Sequence, residues 1–224
     1  ALAEAGLRRV NVSLDTLRPE RFRRIARRGR LEDVLAGIEA ARRVGLAPIK
    51  INSVVIRGMN DDEVVDLARK TMQEGWNIRF IEVMPVGNGV LRDAAWHGRV
   101  VTGSEIRQRI EAALGELEPA KMRIGGGPAR YYRLSGARGT LGFITPISEH
   151  FCYVCNRLRL TADGQLRPCL LSDREIDLRT PLRRGAGVAE VKRLLRRGIE
   201  IKPMRHHLGE CRMPENRVMS EIGG

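Results

Sequence analysis

Strand-like and helix-like segments alternate through the first third of the chain, and this alternation restricts the fold more than any other feature. The apolar, β-type segments cover residues 9–14, 48–55 and 77–83. Helical patterns lie between them, near residues 17–26, 31–44 and 61–74. Because successive βαβ units build a parallel sheet, we predict an α/β fold. Three strands do not close a barrel, so they form either part of an open sheet or the later part of a (β/α) barrel.

The pattern changes after residue 85. A glycine-rich loop is followed by a helix near residues 104–114 and by short strand-like segments at 129–134 and 140–145. A β-hairpin is expected around Asp163-Gly164, because Asp-Gly is a strong turn signal between two apolar runs. A helix near residues 188–196 follows. This second part therefore reads as an α+β region rather than as further βαβ units.

Each of the three early strands contains polar residues, although buried parallel strands normally read as nearly continuous apolar runs. These residues are Asn11 and Ser13, Lys50 and Asn52, and Arg79 and Glu82. Side chains two residues apart point to the same face of a strand, so each of the first two pairs lines one face. We interpret them all as lining a polar pocket, whose cations Lys50 and Arg79 suit carboxylate or phosphate groups. The alternative is an edge strand with one solvated face.

Three of the four cysteines form a C-x2-C-x13-C pattern: Cys152, Cys155 and Cys169. Two thiolates three residues apart can bind one metal centre, and the predicted hairpin can return the third. Three ligands suit a cubane iron–sulfur cluster with one open iron, whereas Cys211 as a fourth ligand would indicate zinc. A redox, disulfide or incidental role is the remaining alternative.

Basic residues dominate the charge, with 40 Lys and Arg against 27 Asp and Glu and a formal net charge of +13. The excess indicates solvated helix faces or an anionic partner. Arg157 and Arg159 follow the cysteine pair directly, which favours a site for a highly charged anion such as a nucleoside triphosphate. A membrane span is not expected, because the longest stretch without a charged residue or histidine, 139–148, has only ten residues.

Five segments together make the sequence specific. They are VNVSLD (10–15), IKIN (49–52), RFIEVM (79–84), FCYVCNRLRL (151–160) and MSEIGG (219–224). With these segments in this order, the whole chain resembles the later two-thirds of the GTP 3′,8-cyclase family, radical S-adenosylmethionine (SAM) enzymes that begin molybdenum cofactor biosynthesis. The CNRLRL segment and the Gly-Gly end are its most specific parts, while VNVSLD and the FIE segment are shared with other radical SAM enzymes.

The resemblance implies an α/β fold in two regions. Residues 1–100 would be the C-terminal part of an incomplete (β/α)6 barrel, and residues 101–224 an extension that carries an auxiliary iron–sulfur cluster. The implied lyase reaction begins when a first 4Fe–4S cluster reduces SAM to a 5′-deoxyadenosyl radical and methionine. That radical takes hydrogen from C3′ of GTP, and the carbon radical attacks C8 of guanine to give 3′,8-cyclo-GTP.

The resemblance also implies roles for individual residues. The auxiliary 4Fe–4S cluster, whose open iron contacts the purine, would be bound by Cys152, Cys155 and Cys169. GTP would be bound by Lys50 and by Arg157, Leu158 and Arg159, with Arg79 as a further phosphate or SAM contact. SAM would contact Ser13 and Met84. The terminal Gly223 and Gly224 would reach the active site and assist catalysis.

One family feature is absent from this sequence. The first cluster of the family is bound by an N-terminal C-x3-C-x2-C motif, and isolated Cys211 cannot replace it. Ala1 to Gly6 also reads as the end of a helix, so we expect the natural polypeptide to extend upstream of Ala1. The first cluster and SAM are then expected in the full-length enzyme, and the chain alone is expected to be inactive.

Partners and alternatives follow from the same reasoning. The expected partners are GTP and SAM, with a homodimer as a candidate assembly and the product passed to cyclic pyranopterin monophosphate synthase. No nucleic acid or membrane partner is expected, and thiolate-bound iron argues for the reducing cytoplasm. The alternatives are another radical SAM maturase with an auxiliary cluster, and a basic zinc-ribbon protein that binds nucleic acid. The zinc ribbon does not explain the polar residues within the strands.

Overall fold

The computed structural model describes residues 1–86, 94–120, 127–206, 208 and 214–222. The chain divides into two compact units, residues 1–83 with 98–149, and residues 84–97 with 150–224. This division reflects internal packing, and the functional boundary expected near residue 100 stays a prediction. Within the described part of the chain, no helix has both the length and the apolar character needed to cross a membrane.

The first unit is a six-stranded mixed sheet with helices. Its strands are β1 (Val10–Ser13), β2 (Ile49–Val55), β3 (Asn77–Glu82), β4 (Leu117–Pro119), β5 (Arg130–Leu134) and β6 (Leu141–Ile144). Its helices are α1 (Pro19–Ala26), α2 (Leu31–Arg43), α3 (Val64–Gln73) and α4 (Gly103–Leu114). The spatial order is β1-β2-β3-β6-β5-β4, with β1, β2, β3 and β6 parallel and the last two strands antiparallel. The predicted α/β class with a parallel sheet is confirmed.

The two faces of this sheet differ in character because side chains alternate along each strand. One face is apolar and packs against residues of the four helices in a single core. Its largest sheet contributors are Ile51, Ile78, Phe80, Leu141 and Phe143, all fully or almost fully buried. The other face carries the polar residues Asn11, Ser13, Lys50, Asn52 and Arg79. Helix packing on one face therefore leaves the opposite face available for a site.

Asn60 ties the carboxyl ends of β1 and β2 together. Its amide Nδ2 donates to the carbonyls of Asp15, at 2.7 Å, and Val54, at 2.9 Å, and its Oδ1 accepts from the Ile56 N–H at 2.8 Å. The carboxylate of Asp15 accepts from the Val54 N–H at 2.8 Å. Burial raises the pKa of Asp15, and this hydrogen bond only partly opposes it. These bonds hold the ends of the two strands in register.

The second unit is built on a small antiparallel sheet. It contains β7 (Arg159–Leu160), β8 (Gln165–Arg167), β9 (Ile176–Asp177), α5 (Arg179–Arg183) and α6 (Val188–Glu200), with strand order β7-β8-β9. Gly164, at φ 83°, makes the predicted hairpin turn between β7 and β8. Gly198 of α6 allows close packing on β8, because a Cβ there would lie 2.5 Å from Leu166 Cδ2.

Candidate active site

The polar face of the first unit brings together the site residues predicted from β1, β2 and β3. In the parallel register Asn11 lies opposite Lys50, Ser13 opposite Asn52, and Asn52 opposite Arg79. Neighbouring residues in register share a face, so Ser13, Lys50 and Arg79 all lie on this one. The structure thus places these three predicted residues together.

The two predicted charged residues that lie on this face, Lys50 and Arg79, are both positive. Lys50 is only 8% exposed, and burial, followed by the charges of Arg79 and Arg9, lowers the pKa of its amine. Arg79 donates from Nη2 to Asn11 Oδ1 at 2.9 Å. Two further polar atoms, Arg79 Nε and Asn52 Oδ1, are buried without a hydrogen-bond partner among the described residues. Buried polar groups normally have partners, so this face is suited to an anionic ligand that also supplies hydrogen bonds.

Gly142 makes room for the Arg79 side chain. It lies on β6 opposite Arg79 and opposite Tyr131 of β5. A Cβ at this position would lie 2.9 Å from Tyr131 Cε1 and 3.0 Å from Arg79 Cγ. Any side chain here would therefore displace one of these neighbours, and the glycine is part of what positions the guanidinium.

Glu82 is not part of the polar face, which corrects the interpretation of this residue as pocket lining. It is 1% exposed and lies on the apolar face, because it is three positions after Arg79 in the strand and side chains alternate. Its carboxylate accepts from the N–H groups of Gly103, at 3.0 Å, Ile147, at 2.9 Å, and Ser148, at 3.0 Å, and from the Ser148 hydroxyl. Glu82 thus satisfies the N-terminus of α4 and the loop after β6.

The second unit contains three free, half-buried cysteines, Cys152, Cys155 and Cys169. Cys152 begins a short 3-10 helix, Cys152–Val154, and accepts at its carbonyl from the Cys155 N–H at 3.1 Å. Cys169 follows β8 by two residues. Burial is the main cause that raises the pKa of the Cys169 thiol, and the charges of Cys152 and Cys155 raise it further. These electrostatic effects are consistent with three thiols in one part of the unit, and the shared ligand role that the C-x2-C-x13-C spacing indicates stays a prediction.

Lys202 contacts the cysteine cluster formed by Cys152, Cys155 and Cys169, and sequence reasoning missed it. Its Nζ donates to Cys155 Sγ at 3.5 Å and to the Arg157 carbonyl at 2.7 Å. Burial alone would raise the pKa of Cys155, but the Arg157 backbone N–H and the Lys202 charge lower it. A cation beside Cys155 therefore favours the thiolate, the form that binds metals.

Arg159 lies between the cysteine cluster and the C-terminal segment. Burial, together with the charge of Arg157, lowers its pKa, while the charges of Cys169 and Cys155 oppose this. Its Nη1 donates to the carbonyl of Ile222 at 3.3 Å. The guanidinium is thus half-buried beside the thiols.

The remaining predicted residues of this unit have different environments. Arg157 is exposed and its guanidinium lies 5.1 Å from the centre of the Phe151 ring. The partly buried Leu158 side chain packs against the small core under α6. Met84 is half-buried shortly after β3, and its carbonyl accepts from the Val86 N–H at 2.9 Å. Gly223, Gly224 and Cys211 lie outside the described residues.

Comparison with known proteins identifies the family. Residues 1–71 match the family model of the Radical SAM superfamily, and residues 76–208 match that of Molybdenum Cofactor Synthesis C. A relative from Pelotomaculum thermopropionicum named GTP 3′,8-cyclase is 53% identical over 225 residues, covering the whole chain and 68% of the relative. Relatives of the same name from Heliobacterium modesticaldum and Moorella thermoacetica are 54% and 50% identical, again over the whole chain and 68% of their length. The chain belongs to the GTP 3′,8-cyclase family.

The three free thiols suit an iron–sulfur cluster better than a single metal ion. Among the described residues, no three His, Cys, Asp or Glu side chains lie close enough to hold a single metal ion. Each thiolate of a three-cysteine cubane binds a different iron, so such ligands are spaced more widely than those of one ion. Three neighbouring free thiols, one of them beside a lysine, are donors that suit an iron–sulfur cluster.

Proposed function

We propose that this chain contributes to a GTP 3′,8-cyclase activity, the lyase reaction that converts GTP to (8S)-3′,8-cyclo-7,8-dihydroguanosine 5′-triphosphate. This reaction is the first step of molybdenum cofactor biosynthesis. The observation that carries the proposal is the neighbourhood of three free thiols and the Arg159 guanidinium in the second unit. The names of relatives that are 50–54% identical over the whole chain support it.

The chain's own residues bind and orient the substrate in this proposal. SAM and a first 4Fe–4S cluster, when bound, supply the radical chemistry that starts the reaction. Cys152, Cys155 and Cys169 would hold the auxiliary cluster, which leaves an open iron for the purine. Arg157 and Arg159 would bind GTP beside it, and the half-buried guanidinium of Arg159 is well suited because partial desolvation strengthens its hydrogen bonds.

Other residues expected from the sequence supply the remaining ligand contacts of this proposal. Lys50 and Leu158 would complete GTP binding, Ser13 and Met84 would contact SAM, and Arg79 would bind a phosphate or SAM. The unmatched Arg79 Nε supports an acceptor at this position. Gly223 and Gly224 would assist catalysis.

The finer assignments of fold and setting are part of the same proposal. The parallel strands β1, β2 and β3 would be the later strands of a (β/α) barrel. A homodimer and the passing of product to cyclic pyranopterin monophosphate synthase are its proposed associations. A cytoplasmic setting is proposed because thiolate-bound iron requires reducing conditions.

Metal content tests the cluster. Anaerobic purification should give brown protein containing iron and sulfide, and Cys169→Ser should lose both. Cys211→Ser should retain the wild-type iron content, because Cys211 is not one of the three ligands. Colourless wild-type protein with one zinc would overturn the proposal in favour of a zinc ribbon, and iron loss in Cys211→Ser would refute the three-cysteine assignment.

Equilibrium binding of GTP tests the arginines. Arg157→Ala and Arg159→Ala should each weaken GTP binding by about tenfold to a hundredfold, the worth of one charge-assisted contact, with iron content near that of the wild type. Arg193→Ala is the matched control, because Arg193 is an exposed arginine of the same unit that pairs with Glu190 on α6. GTP affinity unchanged in both variants, or lost equally in the control, would contradict the assignment.

A further inference from the structure

The C-terminal segment 214–222 is attached to the cysteine-bearing sheet by a network of charged groups. Its members are two arginines, Arg167 of β8 and Arg217 of the segment, and three carboxylates, Asp163, Asp173 and Glu175. The sequence assigned none of these residues to a site, although Asp163 was expected in a hairpin turn, and none has a role in the proposed function. We call this set the tail clamp.

Arg167 is the buried centre of the tail clamp. Its side chain is 0% exposed, and it donates from Nη1 to Glu175 Oε1 and to Asn216 Oδ1, both at 2.8 Å. Its Nη2 donates to Asp173 Oδ1 at 3.2 Å. A fully buried guanidinium requires such partners, because an unpaired buried charge is strongly unfavourable. One of those partners, Asn216, belongs to the C-terminal segment.

Arg217 supplies the second attachment. Its Nε donates to Glu175 Oε1 at 2.6 Å, and its Nη2 donates to Glu175 Oε2 at 3.0 Å and to Asp163 Oδ2 at 2.8 Å. The bond pair to Glu175 has the two-pronged geometry that favours arginine over lysine. Burial opposes ionisation of Glu175, but the bonds from Arg217 and Arg167 outweigh it and lower the pKa of this carboxyl.

Backbone contacts continue the attachment. The Asp173 carboxylate accepts from the Glu215 N–H at 3.0 Å and from the Asn216 N–H at 3.3 Å, and the Asn216 amide donates to the Asp173 carbonyl at 3.1 Å. Side chains and backbone of three consecutive residues, 215 to 217, are therefore held by the sheet and its loops. Five residues later, Ile222 is 1% exposed and accepts from Arg159.

The tail clamp and the proposed GTP contact lie on the same small sheet. Arg159 and Arg167 are opposite each other in the β7–β8 register, so their side chains emerge on one face. Cys169 follows Arg167 by two residues. The tail clamp thus attaches the C-terminal segment to β8, the strand that leads to Cys169. The end of the same segment, Ile222, contacts the Arg159 guanidinium.

We propose that Arg217 is a positioning residue, which fixes the C-terminal segment so that Ile222 orients Arg159 for the anionic substrate. The proposal rests on the GTP role of Arg159 given above. Loss of Arg217 releases the segment and leaves Arg159 without a fixed hydrogen-bond acceptor. The contact between Lys202 and Cys155 does not involve Arg217 and is kept.

Hydrogen exchange followed by mass spectrometry tests the positioning role on the full chain carrying its iron. In Arg217→Ala, amides of residues 214–222 should exchange at least about tenfold faster, since three charge-assisted bonds are lost. Iron content and exchange in α6 should stay at wild-type values, and GTP should bind several-fold more weakly. Arg217→Lys should show an intermediate effect on both, and Arg193→Ala should show none.

The outcomes separate this inference from the proposed function. Unchanged exchange at 214–222 in Arg217→Ala, or faster exchange with unaltered GTP affinity, would overturn the positioning role. If Arg217→Ala does not fold, Asp163→Asn removes one ion pair of Arg217, at a carboxylate that is 44% exposed. This variant should show a smaller increase in exchange and a smaller loss of GTP affinity. Asp163→Asn without an effect on either readout would also overturn it. Failure of the wild-type chain to bind GTP would instead count against the proposed function.

Discussion

Replacing Glu82 by Gln tests whether this carboxylate is a structural cap or a pocket group. The two carboxylate oxygens accept from three backbone N–H groups and one hydroxyl. Glutamine keeps one acceptor oxygen and places an NH2 against the donors that the other oxygen served. Each donor left without an acceptor costs about 1–3 kcal/mol when it is buried. Gly103 is buried, whereas Ser148 is exposed and its groups regain some hydration.

We therefore expect Glu82→Gln to lower the free energy of unfolding by about 2–4 kcal/mol. At a typical urea dependence for small proteins, this corresponds to a midpoint lowered by about 1–2 M. Urea unfolding followed by circular dichroism measures the change. Glu116→Gln is the control, because Glu116 is exposed just after α4, and it should stay within about 0.5 kcal/mol of the wild type.

GTP binding measured on the same variant completes this test. As a structural cap, Glu82 contributes to stability, so below the unfolding transition Glu82→Gln should bind GTP as the wild type does. Unaltered stability together with a large loss of GTP affinity would refute the reasoning, because that combination is the one expected of a residue that lines the pocket.

Two further predictions concern the geometry of the polar face and the pH response of the tail clamp. Gly142→Ala should weaken GTP binding and cost about 1–3 kcal/mol of stability, because its Cβ would displace Arg79 or Tyr131; unchanged GTP affinity would contradict this. Hydrogen bonds from Arg217 and Thr161 lower the pKa of Asp163 from 3.8 to about 2, so its contribution to stability is complete above pH 3.8 and is lost as the pH falls through about 2. NMR titration should show this midpoint, and a wild-type midpoint near 3.8 would disprove the pairing.

Periodic patterns in the sequence predicted much of the first unit. The alternation of strands and helices predicted β1, β2 and β3 and their parallel pairing, and the two-residue spacing predicted that Ser13 and Lys50 lie on site-facing sides. Asn77, which shares this face opposite Lys50, lay within the predicted strand but was not counted among the polar residues that line the pocket. The short strand β4 was missed because its three residues end in proline.

The assignment of Glu82 to the polar pocket was wrong because the spacing between the polar residues of β3 was not taken into account. Two polar residues of one strand were assigned to one pocket although their odd spacing places them on opposite faces. The pattern contained enough information to separate Arg79 from Glu82, but not to identify the acceptor role of Glu82. That role depends on Gly103 and Ser148, which lie 21 and 66 residues later in the chain.

Local information in the sequence determined the elements, the faces of the strands and the trio of cysteines, because periodicity and covalent spacing act over a few residues. Tertiary structure alone decided which distant groups meet. Lys202 reaches Cys155 across 47 residues, and Asn216 reaches Arg167 across 49. Lys202 and Asn216 look like ordinary surface positions in the sequence, and only the packing of the chain brings them against Cys155 and Arg167.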